Sequence, residues 1–154
     1  MRLYNKQRKV ELTIDNKLLE KISQIGIQHF PNEFGGFLIG KYSDDFNTLF
    51  ITDFILPESY KGNRYNFERN SEGMNTFFST LFKNKKEYYI GEWHTHPNGS
   101  TQFSNTDLSA MANIASSSCV NLKNPILLIL SVSSDKLNQA TFYIYDNRKL
   151  LPYE

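Results

Sequence analysis

The chain has 154 residues, 40% of them hydrophobic and 21% charged, which suits one ordinary globular domain with a hydrophobic core. A formal net charge of +1 gives no electrostatic footprint for nucleic acid or for an anionic membrane. The single cysteine, Cys119, excludes an internal disulfide and any multi-cysteine metal site, and reads as a small buried apolar residue.

The opening MRLYNKQRKVELTID is basic but lacks the apolar run of a secretory signal. The longest apolar run, ILLIL at 126–130, is far too short to span a bilayer. With a lone cysteine these features predict a soluble, cytoplasmic protein.

VELTI (10–14) alternates and predicts a first strand. Asp15 or Asn16 caps a helix whose Leu18, Leu19, Ile22 and Ile25 share one face, running to about Gln28. Pro31 and Asn32 break it. GGFLIGKY (35–42) is a buried strand entered through two glycines. SDDFN (43–47) turns the chain into a partner strand, TLFITDFIL (48–56). The polar segment 58–73 reads as a long loop or a short edge strand. Met74, Phe77, Phe78, Leu81 and Phe82 predict a second helix over 74–86. EYYIGEWHTH (87–96) is a strand and PNGSTQF (97–103) a loop. From Ser104 onward, Leu108, Met111, Ala112 and Ala115 mark a third helix. PILLILSVS (125–133) and ATFYIYD (140–146) are the last strands, joined by a hairpin over 134–139. This order predicts an α/β or α+β fold: one domain over 1–154, with a central mixed β-sheet flanked by helices.

The chemistry concentrates in GEWHTHPNGSTQFSNTD (91–107), which holds two of the chain's three histidines. Side chains alternate along a strand, so His94 and His96 face the same way and can share one metal ion. Asp107, at the start of the next helix, would complete a three-ligand set of the kind that holds catalytic zinc. Ser104 and Asp107 also have the spacing of a capping box, and the two readings are compatible. A hydrolytic zinc site needs a general base, and Glu33, directly before the Gly35-Gly36 strand entry, is the candidate. Glu92 shares the strand face of His94 and could accept from an imidazole N–H, or point into a surface groove. Trp93 faces the other way and reads as core, and the lone His29 as structural.

The set Glu33, His94-Thr95-His96-Pro97, Ser104 and Asp107 resembles the JAMM motif of the MPN/JAB metalloprotease family. That pattern is a distant Glu, then H-x-H-P, six residues, Ser, two residues and Asp, and every position is present here. EFGGFLIG is similar to the family's opening strand, and the resemblance covers residues 10 to 146. It implies one zinc held by His94, His96 and Asp107, Glu33 as general base, and Ser104 as donor to the oxyanion. It implies hydrolysis of the isopeptide or peptide bond after the C-terminus of a ubiquitin-like protein or a similarly conjugated protein. An extended substrate tail would then meet the loops carrying Arg64, Phe67, Arg69 and Asn98.

The compact chain resembles bacterial stand-alone JAB proteins. Those with the GEWHTHP form look like peptidases encoded beside E1- and E2-like conjugation enzymes, some in antiphage systems with cyclic-nucleotide signalling. Deconjugation is the leading expectation. A processing peptidase that trims a ubiquitin-like or sulfur-carrier precursor would use the same site. The alternative of another class is a non-catalytic MPN scaffold; such members usually lose one or more metal ligands, and all are present here.

Overall fold

In a computed structural model of the protein, the described residues are 1–57, 60–63, 66–69, 86–118 and 120–154, with 60–63 and 66–69 described by backbone alone. The helix expected over 74–86, apart from its last residue, lies outside them, as do Arg64 and Cys119.

The main sheet has eight strands: β1 (Arg2–Asn5), β2 (Val10–Ile14), β3 (Gly35–Tyr42), β4 (Thr48–Ile55), β7 (Tyr88–Pro97), β8 (Ile126–Val132), β9 (Leu137–Asp146) and β10 (Lys149–Pro152). Their spatial order is β1-β2-β4-β3-β7-β8-β9-β10. The β2–β4 and β7–β8 pairs are parallel and the rest antiparallel, so the sheet is mixed, as expected. The parallel pair β7–β8 requires a crossover, and helix α2 (Asn105–Ser116) lies within it.

Helix α1 (Asn16–Gln28) starts where the sequence places it: the Asp15 carboxylate accepts from the Lys17 N–H at 2.8 Å. It buries Leu19 and Ile22 against Leu12, Ile14, Leu38, Leu128 and Phe142 of the sheet. The other sheet face packs α2, through Met111, onto Leu127, Ile129, Tyr143 and Tyr145. Every residue of β8 is buried, which is why that strand reads as an unbroken apolar run.

Three features depart from the expectation. Within the segment read as a loop or edge strand, β5 (Tyr60–Asn63) and β6 (Asn66–Arg69) pair antiparallel as a separate two-stranded sheet. Strand β9 begins at Leu137, inside the expected hairpin loop. The short β1 and β10 carry no strong period of their own, yet they become the outer strands of the sheet.

Those two outer strands are tied together. Tyr4 and Glu154 exchange backbone hydrogen bonds of 2.8 and 3.2 Å. The buried Asn5 amide donates to the carbonyls of Leu151 and Pro152 at 3.3 and 2.8 Å, and its oxygen accepts from the Arg8 N–H at 2.8 Å. The sheet therefore curls around α1, with its two edges joined rather than offered as open templates.

Candidate metal centre

Strand β7 aims the site through an irregularity. Leu38 pairs with Gly91 and Ile39 with Tyr89, so Ile90 is an extra residue in the ladder. The bulge shifts the alternation by one. Ile90 and Trp93 both enter the core around α1, while the Tyr89 hydroxyl reaches Glu92 on the opposite face at 3.2 Å. Gly91 makes this possible at φ +149°, and a Cβ there would lie 1.9 Å from the Ile126 carbonyl oxygen. Gly91→Ala is expected to lower stability by about 3 kcal/mol or more, from backbone strain and the clash together. Urea denaturation checks this, and an unchanged midpoint would contradict it.

Beyond the bulge, normal alternation places His94 and His96 on the α2 face and Thr95 on the α1 face. The two imidazole Nε2 atoms are 3.0 Å apart. Close approach of β3 helps to seat them. Gly35 pairs with His94, and a Cβ on Gly35 would fall 2.2 Å from the Trp93 carbonyl oxygen and 2.9 Å from the His94 Cβ. The glycine pair before the strand core thus serves close backbone approach.

Asp107 reaches the histidines from the first turn of α2. Its Oδ1 lies 3.3 Å from His94 Nε2 and its Oδ2 3.9 Å from His96 Nε2. The capping box is present as well: Ser104 Oγ accepts from the Asp107 N–H at 3.1 Å. In return Asp107 Oδ2 accepts from the Ser104 N–H at 2.6 Å and from its hydroxyl at 2.8 Å. The cap and the cluster are one arrangement. Ser104 restrains Oδ2 and leaves Oδ1 turned toward His94.

Candidate ligand atoms of His94, His96 and Asp107 all lie within 4.8 Å of one another, so the three could hold a metal ion. The donor set fits such an ion. His96 Nδ1 is 2.8 Å from the Ser100 carbonyl, which can only accept, so Nδ1 carries the proton. In the neutral ring that leaves the Nε2 lone pair facing the cluster. Two imidazoles and a carboxylate are also ligands that suit zinc.

Glu33 is half-buried beside this cluster. Burial, and then the negative charge of Asp107, push its carboxyl up to about 7. Thr95, fully buried between the histidines, holds the neighbouring backbone: its hydroxyl accepts from the Phe34 N–H at 3.0 Å, and its own N–H donates to the Phe34 carbonyl at 2.8 Å. One strand therefore presents two imidazoles on one face and, through Thr95 on the other, holds the backbone of Phe34 next to Glu33.

The remaining sequence candidates fall in different places. Glu92 is buried on the histidine face, where it accepts from the Tyr89 hydroxyl. Asn98 is exposed at the start of the loop after β7, with its N–H donating to the Val132 carbonyl at 2.8 Å. Phe67 and Arg69 lie on β6, and their side chains are outside the described residues, like Arg64. His29 stacks on Phe34 with ring centroids 3.6 Å apart, and its Nδ1 lies 2.8 Å from the Ile25 carbonyl, in a structural setting. Trp93 is core, as expected. The sequence assigned no role to Thr95 or to the Ser100 carbonyl. The threonine's position between two same-facing histidines was its only local signal.

Fold and cluster together define a class. Residues 15–143 match the family of prokaryotic homologues of the JAB domain, and the chain belongs to that family. A curated relative from Enterobacter hormaechei subsp. hoffmannii, a "CD-NTase/cGAS isopeptidase", is 32% identical over 120 residues, covering 77% of this chain. The chain spans 66% of that relative's length. Two solved structures share the fold. A Desulfitobacterium hafniense protein aligns with TM-score 0.67 at 17% identity, covering 92% of this chain and 88% of its own. A Salinibacter ruber protein aligns with TM-score 0.58 at 18% identity, over 92% and 86% of the two chains. Among the described residues no helix is long and apolar enough to cross a membrane.

Proposed function

We propose that this chain is a zinc-dependent isopeptidase. It hydrolyses the bond after the C-terminus of a ubiquitin-like protein, or of a protein attached by a ubiquitin-transfer-like system, and so reverses conjugation in bacterial antiphage defence. The observation that carries the reading is a metal-competent cluster of His94, His96 and Asp107 beside a carboxyl raised to about 7. The relative named for isopeptidase action on CD-NTase/cGAS supports the substrate class.

In this reading, His94 and His96 through Nε2, with the Asp107 carboxylate, hold the ion. Zinc, when bound, supplies Lewis acidity to an attacking water and a scissile carbonyl. Glu33 takes the water's proton on its carboxylate and returns it to the departing amine. Its half-buried place beside Asp107 puts the carboxylate near the cluster for both halves of that task. The Ser104 hydroxyl, now donating to Asp107, turns to donate to the developing oxyanion. The substrate tail is assigned to Arg64, Phe67 and Arg69, and to Asn98 at the loop after β7.

The test is a CD-NTase joined through its C-terminal carboxyl to a lysine amine of a carrier. Zinc-loaded protein is expected to release both partners with an unmodified C-terminus and a free amine, read by mass spectrometry, and a chelator is expected to stop it. Intact conjugate after prolonged incubation with the zinc-loaded protein would overturn the reading.

A further inference from the structure

The loop after β7 is exposed at Asn98, Gly99 and Ser100, yet it delivers the carbonyl that fixes the His96 tautomer. An exposed turn holds such a carbonyl in place only if something anchors its neighbours. Both neighbours are anchored by hydroxyls from the sheet. Ser131 Oγ, on β8, donates to the Gly99 carbonyl at 2.5 Å. The Tyr143 hydroxyl, on β9, donates to the Thr101 carbonyl at 2.9 Å. The two hydroxyls bracket Ser100 on either side. A third contact, between the Thr101 and Thr141 hydroxyls at 2.7 Å, ties the same turn to β9.

Register explains why these residues are available. His96 pairs with Ser131, Ile129 with Thr141, and Leu127 with Tyr143. All therefore project from the face that carries the cluster. Polar side chains on an otherwise apolar face are costly unless they are satisfied, and here the turn satisfies them. Thr101 and Ser131 are buried, so solvent does not compete strongly for these bonds.

We propose that Ser131 and Tyr143 are positioning residues of the metal centre. By fixing the turn from Gly99 to Thr101 they aim the Ser100 carbonyl at His96, which holds the ring in its Nδ1–H form with Nε2 free for the ion. The role in metal binding rests on the zinc-site reading above. The control of the tautomer does not.

Ser131→Ala and Tyr143→Phe each remove one hydroxyl. The aromatic ring at 143 keeps its edge contact with Phe103, at a centroid distance of 5.3 Å. The tautomer of His96 is read by nitrogen NMR on the metal-free protein, at a pH well above the usual histidine pKa of about 6.5. Zinc affinity is read by chelator competition. Wild type is expected to show His96 as the Nδ1–H form. The double variant is expected to show a larger Nε2–H share and about tenfold weaker zinc binding, in the range seen when partners behind metal ligands are removed. Asn5→Ala, at the joined sheet edges, serves as a control that lowers stability without moving either readout. An unchanged tautomer in the double variant, or an equal shift in the Asn5→Ala control, would overturn the proposal. If wild type binds no zinc, the functional reading fails while the tautomer comparison still decides this one. Should the double variant not fold, the single variants carry the same comparison.

Discussion

Glu33→Gln is expected to retain its metal and lose about 10²–10⁴ in kcat, the usual contribution of a positioned general base. Glutamine keeps the size and polarity of the side chain but cannot accept the proton. The pH behaviour of the metal-free protein sharpens the expectation. Burial, and then the charge of Asp107, raise the Glu33 carboxyl from 4.5 to about 7. The folded chain thus binds this proton more tightly than the unfolded chain does. The associated stability is full below about 4.5 and is lost as pH rises through about 7. Glu33→Gln removes that dependence, and Asp107→Asn reduces it only in part, since burial is the larger cause. Denaturation midpoints across this window, beside single-turnover rates and metal content, check the whole set. A Glu33→Gln variant that cleaves at the wild-type rate would remove the base assignment.

Asp107→Ala has the other large expected effect. Zinc measured by elemental analysis is expected to fall from about one per chain, the stoichiometry of a single three-ligand site, to near none. Cleavage is expected to vanish with it. The same carboxylate closes the capping box with Ser104, so the variant should also lose about 1 kcal/mol of helix stability. Ser104→Ala separates the two effects, because it opens the box but leaves all three candidate ligands. Retained zinc in Asp107→Ala would mean that the two histidines bind the ion without the α2 carboxylate.

Much of the site was legible because its parts follow local periods. Alternation along β7 put His94 and His96 on one face, and the spacing of Ser104 and Asp107 marked a helix start that the structure shows as a full capping box. The Asp15 cap and the apolar stripe of α1 were equally readable. So was β8, whose complete burial leaves an unbroken apolar run.

What local pattern could not supply was partnership across the chain. The bulge at Ile90 depends on which β3 residues face β7, and it decides that Tyr89 meets Glu92. The parallel β7–β8 register sets Ser131 beside His96 and lets two sheet hydroxyls grip the loop. Crossing from β7 to β8 through α2 carries Asp107 back to the histidines. The acidity of Glu33 follows from burial and from Asp107, far away in sequence. Strands β1 and β10 are only four residues each, too short to show a period, and they exist because the sheet's ends meet. Residue types and short spacings therefore mark the candidate metal ligands and the candidate base. The long-range strand register decides the tautomer of His96 and the aim of the candidate ligands, because only the packed sheet excludes water and holds distant residues within bonding distance.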